Sequence, residues 1–482
     1  MKKISISILL IFILVGVSYS QSSYEFIIEG IQDQLPGSLL EDNSGNVYFP
    51  VMNNQYAEIY KIDYEGCFID SIKIFNPNNG KCEFSTLLKI SDSTFLAFGK
   101  YNREFAYNLW IASFDLNLNK IFDFKMPIDG DIHMPYIYAI VNNSENIVLA
   151  SYCTDTGPLD TEIFVIEITR EGEIIREKFF GPSGSGLELV FELVQLNPLE
   201  YRIIKLGNIE KGSGGYIDLD TNFNIISENQ LPYNMASLSY GSIKFTESKI
   251  FYSGKKDFPS TVTTDWDLAL ISTDYNNILI DSAHFGRTDT VDFPGLHNNL
   301  DFTTDNLIYY GGLSNLNMGN PFYSSIPSWI MLNKLDTNLN IVWQKYYGGD
   351  AYYNLWSLLA TQDGGCVMAG TKYDHQTQNE ERDVYILKVN EDGLIAWVHD
   401  IPKVTEEILI YPNPGIDRFF IKTLKVNLTF ELFDSYGRQK IRQKITNQNT
   451  TINTSMLNPG IYFYRFINEN NKIIKTGKWI KN

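Results

Sequence analysis

Between residues 24 and 402 the apolar and polar positions repeat one short pattern. An alternating strand ends in an acidic or polar turn and leads into another strand. The copies read Ile59-Tyr60-Lys61-Ile62-Asp63, Ile111-Ala112-Ser113-Phe114-Asp115, Val165-Ile166-Glu167-Ile168-Thr169 and Tyr216-Ile217-Asp218-Leu219-Asp220. They continue as Leu270-Ile271-Ser272-Thr273-Asp274, Leu332-Asn333-Lys334-Leu335-Asp336 and Ile386-Leu387-Lys388-Val389-Asn390. The turn residues lie 52, 54, 51, 54, 62 and 54 positions apart. The residue four before each turn is apolar and the residue two before it is polar, which is strand periodicity held over seven copies. The last copy shows four strand candidates: Leu355–Thr361, Cys366–Thr371, Asp383–Asn390 and Leu394–Asp400. Seven such copies predict an all-β chain with a seven-bladed β-propeller over residues 22–402. The alternative, two or three consecutive sandwiches, does not explain the even period. Ser23–Glu29 has the pattern of a repeat's last strand and could close the ring on the final blade, although Leu394–Asp400 competes for that place.

Loop lengths separate two faces. The turns between first and second and between third and fourth strands are short, as at Asp42–Gly45, Glu171–Gly172 and Thr303–Asn306. The loops between second and third strands are long: Thr154–Thr161, Lys255–Asp265, Ser314–Ser328 and Lys372–Arg382. Long blade-to-blade links (Asn76–Glu83, Pro127–Pro135 and Gly286–Asn298) join them on the same face. Length variation confined to one face marks it as the binding face.

After residue 402 the pattern changes. Short runs (Phe419–Lys422, Thr429–Phe433, Ile461–Phe466 and Ile473–Trp479) are divided by Pro, Asn and Gly, which predicts a small Ig-like β-sandwich over residues 403–482. Four motifs occur in order: Tyr411-Pro412-Asn413-Pro414, then Leu432 to Arg438 with Gly437, then Leu457 to Tyr462 with Gly460, then a basic end with Lys475, Lys478 and Lys481. This order resembles the C-terminal type A sorting domain of substrates of the type IX secretion system of Bacteroidetes-type bacteria. The resemblance implies that export machinery reads residues 403–482 and that the cargo reaches the outer cell surface or the medium. The propeller copies, seen in full at Trp343–Gly349, Asp363–Gly365 and Gly370-Thr371, resemble divergent propeller repeats of secreted proteins.

Residues 1–20 fit a secretory signal: Lys2 and Lys3, an apolar run from Ile6 to Val17, then small residues at Ser18 and Ser20. The run is shorter than a membrane span needs, and no other segment is long and apolar enough to be one. Charge is divided unequally. Residues 403–482 carry 13 Lys and Arg against 6 Asp and Glu, a net +7, while residues 21–402 carry −27. An acidic body of this kind excludes nucleic acid as a partner, since nothing would neutralise phosphates. Four cysteines, Cys67, Cys82, Cys153 and Cys366, allow either a Cys67–Cys82 bridge or four buried thiols.

Candidate chemistry is sparse. The five histidines are scattered and no nucleophile elbow or zinc spacing occurs, so no catalytic set and no cofactor is expected. Pairs of loop acids, Asp129 with Asp131, Asp155 with Asp160, Asp265 with Asp267 and Asp289 with Asp292, stand out, and the first two pairs can each supply two calcium ligands without completing a calcium loop. Otherwise they are solvated turn residues. Loop aromatics Phe293, Phe322, Tyr323, Tyr352 and Tyr353 either pin their own loops or offer faces to a carbohydrate or protein. Three functions remain: a binding module for a glycan or protein, a polysaccharide-active enzyme using loop carboxylates, and a structural or adhesion component.

Overall fold

A computed structural model describes residues 22–481 except 31–32, 54, 77–79, 104–105, 127–135, 158–159, 181–188, 207–213, 231–240, 259–263, 378–380, 396–402, 406–407, 412, 424–426, 448 and 469–471. Seven sheets form the propeller, and in the first six the strands are antiparallel and in sequence order from inside to outside. Blade 1 runs from Leu35–Pro36 and Leu40–Glu41 through Val47–Met52 and Tyr56–Ile62 to Phe68–Phe75. Blades 2 to 6 begin at Cys82, Tyr138, Leu189, Ile243 and Phe293. Each inner strand touches the next blade, and blade 7 returns to blade 1, so the ring is complete.

Closure differs from the expectation for Leu394–Asp400. Blade 7 holds Tyr352–Ala360, Cys366–Tyr373 and Asp383–Val389, and its fourth place is taken by Tyr24–Glu29, antiparallel to Asp383–Val389. Leu394 and Ile395 form no strand, and 396–400 lie outside the described residues. Both segments alternate correctly in sequence; the N-terminal one takes the place with Phe26 and Ile28 fully enclosed beside Phe49 and Ile386. Lys403–Thr405 then lies parallel on the outside of Tyr24–Glu29 as a fifth strand.

The repeated acidic residue has a geometric cause. Each one starts a tight hairpin in which its N–H donates to the carbonyl four residues on, as from Asp63 to Cys67, Asp336 to Asn340 and Asn390 to Leu394. In the Asp copies and at Asn390 the side-chain oxygen accepts two further backbone N–H groups, as Asp115 Oδ1 takes those of Asn117 at 2.9 Å and Asn119 at 2.8 Å, while Thr169 Oγ1 takes that of Glu173 at 3.2 Å. The third residue after it has positive φ, at Gly66, Leu118, Gly172, Phe223, Asn277, Leu339 and Gly393. A side-chain acceptor thus holds a turn whose backbone would otherwise be left to solvent.

The inner strands are tied to one another around the channel. Ser38 N–H donates to Ser85 O, and Ser357 Oγ donates to Gly37 O. His297 N–H donates to Trp356 O, and Ser253 Oγ donates to Asn299 Oδ1 at 2.6 Å. Aromatic rings fill the middle: His297 stacks on Tyr136 and Trp356, and Tyr138 Oη shares a 2.9 Å hydrogen bond with His297 Nδ1. Burial pushes the His297 pKa well below the usual imidazole range.

The C-terminal module has a sheet of three strands (Ile408–Tyr411, Arg418–Thr423, Asn449–Asn453) and one of four (Gln439–Ile445, Leu428–Asp434, Gly460–Ile467, Ile473–Lys481). Phe419, Phe430, Phe466 and Trp479, all fully buried, fill the space between them. Gln439–Ile445 escapes an apolar reading because most of it is exposed and charged.

Candidate functional site

Among the described residues the long-loop face has one loop whose backbone is held from within and from both sides, the segment 314–328 of blade 6. Asn317 Nδ2 donates to Ser324 Oγ at 2.9 Å, and Asn320 Nδ2 donates to Tyr323 O at 2.7 Å. Asn315 N–H donates to Asp292 Oδ1 at 3.0 Å, and Asn317 N–H to Tyr352 Oη at 3.1 Å. Asn354 Nδ2 reaches Pro321 O at 3.3 Å, which carries the loop over blade 7. There Arg382 meets it. The guanidinium lies 4.8 Å from the Phe322 ring centre and 5.0 Å from that of Tyr323, while Asp33 accepts from its Nε at 2.8 Å and from Nη2, and also from the Arg382 backbone N–H at 3.0 Å. Tyr323 stands edge-on to Tyr373. The loop still presents Met318, Phe322 and Ile326 to solvent at 52, 37 and 50 % exposure. Such a fixed apolar tip gains contact area without an ordering cost.

The remaining loop candidates divide. Tyr352 and Tyr353 are 1 % and 3 % exposed and pack in the core, with Tyr353 Oη donating to Asp350 at 2.7 Å. Phe293 lies against Trp266. Asp292 is fully buried and organises the blade 5–6 link: Oδ2 accepts Arg287 N–H at 2.7 Å and Thr290 Oγ1 at 3.1 Å. Asp289 is exposed in that link with φ 59°. Asp129 and Asp131 lie outside the described residues, and Asp155 and Asp160 sit on facing strand ends whose side chains are also outside them. Their role in calcium binding therefore stays an expectation. Among the described residues, one group of three ligand-type side chains lies close enough to share a metal, Asp63, Glu65 and Cys67 on the short-turn face. There Asp63 Oδ1 is already committed to the N–H groups of Glu65 and Cys67. The four cysteines are unpaired, with Cys67 exposed and the others buried.

The sequence reading names Asp267 without its partner and misses a second cluster altogether. At the long-face end of blade 5, Asp267 Oδ2 lies 2.7 Å from His284 Nδ1. Burial raises the Asp267 pKa, which His284 partly offsets and the charge on Asp292 reinforces. Asp267 and Asp292 crowd Gly286 so closely that a Cβ there would overlap Asp267 Oδ1. The pair is seventeen residues apart and sits on two strands, so spacing alone does not reveal it. At the other end of the channel Glu192, Lys244 and Asp301 lie on the inner strands of blades 4, 5 and 6. Lys244 Nζ is 3.6 Å from Asp301 Oδ1, and Asp301 Oδ2 accepts Ala360 N–H of blade 7 at 2.9 Å. Glu192 is 8 % exposed, and burial pushes its carboxyl up to about 7 although Lys244 opposes this.

In the C-terminal module the motif residues bind one another. Asn413 Oδ1 accepts Ile480 N–H at 2.9 Å and its Nδ2 donates to Lys478 O at 2.9 Å, so the first motif grips the last strand. Tyr411 pairs with Phe420 through the backbone; Pro412 lies outside the described residues, and Pro414 follows Asn413 through a cis bond. Gly437 has φ 75° in the hairpin started by Asp434, the same turn the propeller uses. Gly460 has φ 152°, and Tyr462 Oη donates to Asn458 O at 2.8 Å. Lys481 is buried against Ile416 O, whereas Lys478 is half exposed.

Comparison with known proteins agrees with that geometry. Residues 409–482 match the family described as the secretion system C-terminal sorting domain. No curated protein matches the chain. Among solved structures it is similar to a catalytically inactive virginiamycin B lyase from Staphylococcus aureus, at 12 % identity over 77 % of this chain and 100 % of that one, TM-score 0.45. It is also similar to an α-L-arabinofuranosidase from Fusarium graminearum, at 11 % identity over 79 % and 100 %, TM-score 0.41. PorZ, a surface component of the type IX secretion system of Porphyromonas gingivalis, aligns at 12 % identity over 95 % of this chain and 70 % of that one, TM-score 0.27. None of the three carries a chemistry over to this chain. The sorting tail makes the protein a type IX cargo, recognised by that machinery and delivered to the cell surface or the extracellular space.

Proposed function

We propose that the propeller is a non-catalytic binding module whose long-loop face holds a glycan or a protein. The observation that carries this reading is the fixed tip of segment 314–328, where Phe322 is exposed above a guanidinium that Asp33 already neutralises. An aromatic face beside amide groups such as Asn320 suits sugar rings, and the adjacent Met318 and Ile326 suit an apolar protein surface. The test is a binding screen of the mature chain against a broad glycan panel and solubilised surface proteins, with calcium and with chelator. Phe322→Ala is expected to weaken saturable binding about tenfold, as truncating an interface hot spot does. Binding untouched by that substitution would move the site away from this loop, and calcium dependence would direct attention to Asp129, Asp131, Asp155 and Asp160.

One observation favours a second reading, an enzyme acting on polysaccharide: the Asp267–His284 pair beside buried Asp292. A buried carboxylate that orients an exposed imidazole is an acid–base arrangement. Shortened glycans released by the wild type and not by His284→Ala would establish it.

A further inference from the structure

The sorting module does not stand clear of the propeller. The outer strand of blade 1, Phe68–Phe75, faces the outer side of the module's four-stranded sheet across an open cleft. Both walls are apolar at the rim and charged beside it. Phe68 and Ile69 are 42 % and 45 % exposed on the propeller side, and Phe463 is 50 % exposed opposite. Next to them Lys478 Nζ lies 3.3 Å from Asp70 Oδ2. The register places Lys478 beside Phe463, and Phe463 beside Phe433, so the cation and the aromatic rings share one sheet face. The same wall holds Asn413, Pro414 and Gly437. The long-range charges agree with the local pair, a −27 body against a +7 tail.

We propose that the outer strand of blade 1 is a docking surface for the chain's own sorting module. Closure on Asp70 covers the motif face that holds Asn413, Pro414, Gly437 and Lys478. The proposal is independent of any ligand of the long-loop face. Exposed ion pairs are weak and are screened by salt, while the covalent link keeps the two surfaces at an effective concentration on the order of millimolar. The closed form is therefore readily released, and a partner that engages Lys478 must first displace Asp70. The cell-surface address is then read in competition with the cargo that carries it.

The experiment uses the mature full-length chain. A zero-length carbodiimide cross-link between Asp70 and Lys478 is sought by peptide mass spectrometry at low salt and at about 1 M, where the screening length falls to about 3 Å. The radius of gyration is measured by solution scattering in parallel. The cross-linked peptide is expected at low salt, with a yield falling about fivefold at high salt, the equivalent of the roughly 1 kcal/mol that an exposed pair contributes at most. Lys478→Glu and Asp70→Lys each expand the chain, and the double variant restores the compact form. Asp281→Lys, the matching position on blade 5, leaves it unchanged. All three positions are on the surface, and thermal melts confirm that each of the four variants folds. Absence of the wild-type cross-link at low salt, or single reversals that leave the radius unchanged, overturns the proposal. So does a double variant that stays expanded.

Discussion

Asp115 shows what the repeated acid does. Its Oδ1 accepts two backbone N–H groups, and its Oδ2 accepts Asn119 Nδ2 at 2.9 Å. These bonds favour the charged form, so the Asp115 pKa lies below the usual carboxylate value despite the opposing effect of partial burial. Asp336 and Asp434 are shifted the same way. A lowered folded-state pKa means stability that is fully present above the unfolded value and lost as pH falls through the folded one. Asp115→Ala is expected to cost about 1 kcal/mol in denaturant unfolding at neutral pH, as loss of a side-chain cap does. Asp115→Asn keeps the acceptor oxygen and should cost far less, because Asn390 already performs the same task in blade 7. Equal losses for the two would mean that charge, not the acceptor, holds the turn. The position of every such turn was legible in the sequence because an acceptor must stand at one fixed place in each hairpin. Which loop aromatics reach solvent was not legible. Phe322 and Tyr353 both sit among turn residues, and only the path of the neighbouring strands exposes one and buries the other.

Strands show the same division. Seven periods predicted seven sheets, and the last copy's first three strands agree with the structure to within a few residues. The fourth place was ambiguous because Tyr24–Glu29 and Leu394–Asp400 carry equally good alternation, and alternation holds no information about which neighbour a strand will find. The inner strands hold a second feature hidden from pattern reading, the charged strap from Glu192 through Lys244 to Asp301. Glu192 binds its proton more tightly folded than unfolded. Stability from this group is therefore largest below the ordinary glutamate range and declines as pH rises from about 4.5 to about 7. Glu192→Gln should remove that slope, and above pH 7 the variant should be the more stable protein by on the order of 2 kcal/mol. Urea unfolding at a series of pH values measures this directly. A slope that survives in the variant would assign the titration to another buried acid, of which Glu41, raised to about 6 by burial, is the first to test.

At the scale of the whole molecule, two cores share one chain. The sandwich core is built from residues 408–479 alone, while the other buried clusters lie in the propeller. The modules meet at Lys403–Thr405, which belongs to blade 7 by pairing although it precedes the sandwich directly. This placement decides where a cut should fall. A chain ending after Thr405 keeps the fifth strand on Tyr24–Glu29, so its propeller should unfold at the same denaturant midpoint as in the full chain. A chain ending after Ile395 loses that cover and exposes the edge of Tyr24–Glu29, where the unpaired N–H and C=O groups favour association. The export prediction uses the first cut. A protein truncated after Thr405 retains residues 1–20, which the sequence predicts to be a secretory signal, and the propeller but lacks the sorting motifs, so it should accumulate in the periplasm and be missing from the cell surface and the medium. Fractionation with an antibody against the propeller reads this, and the melting midpoint of the recovered protein separates failed delivery from failed folding. Surface delivery of the truncated chain would show that the propeller carries an address of its own. Periplasmic retention of a chain with an unchanged midpoint would confine the address to the module whose first and last motifs Asn413 holds together.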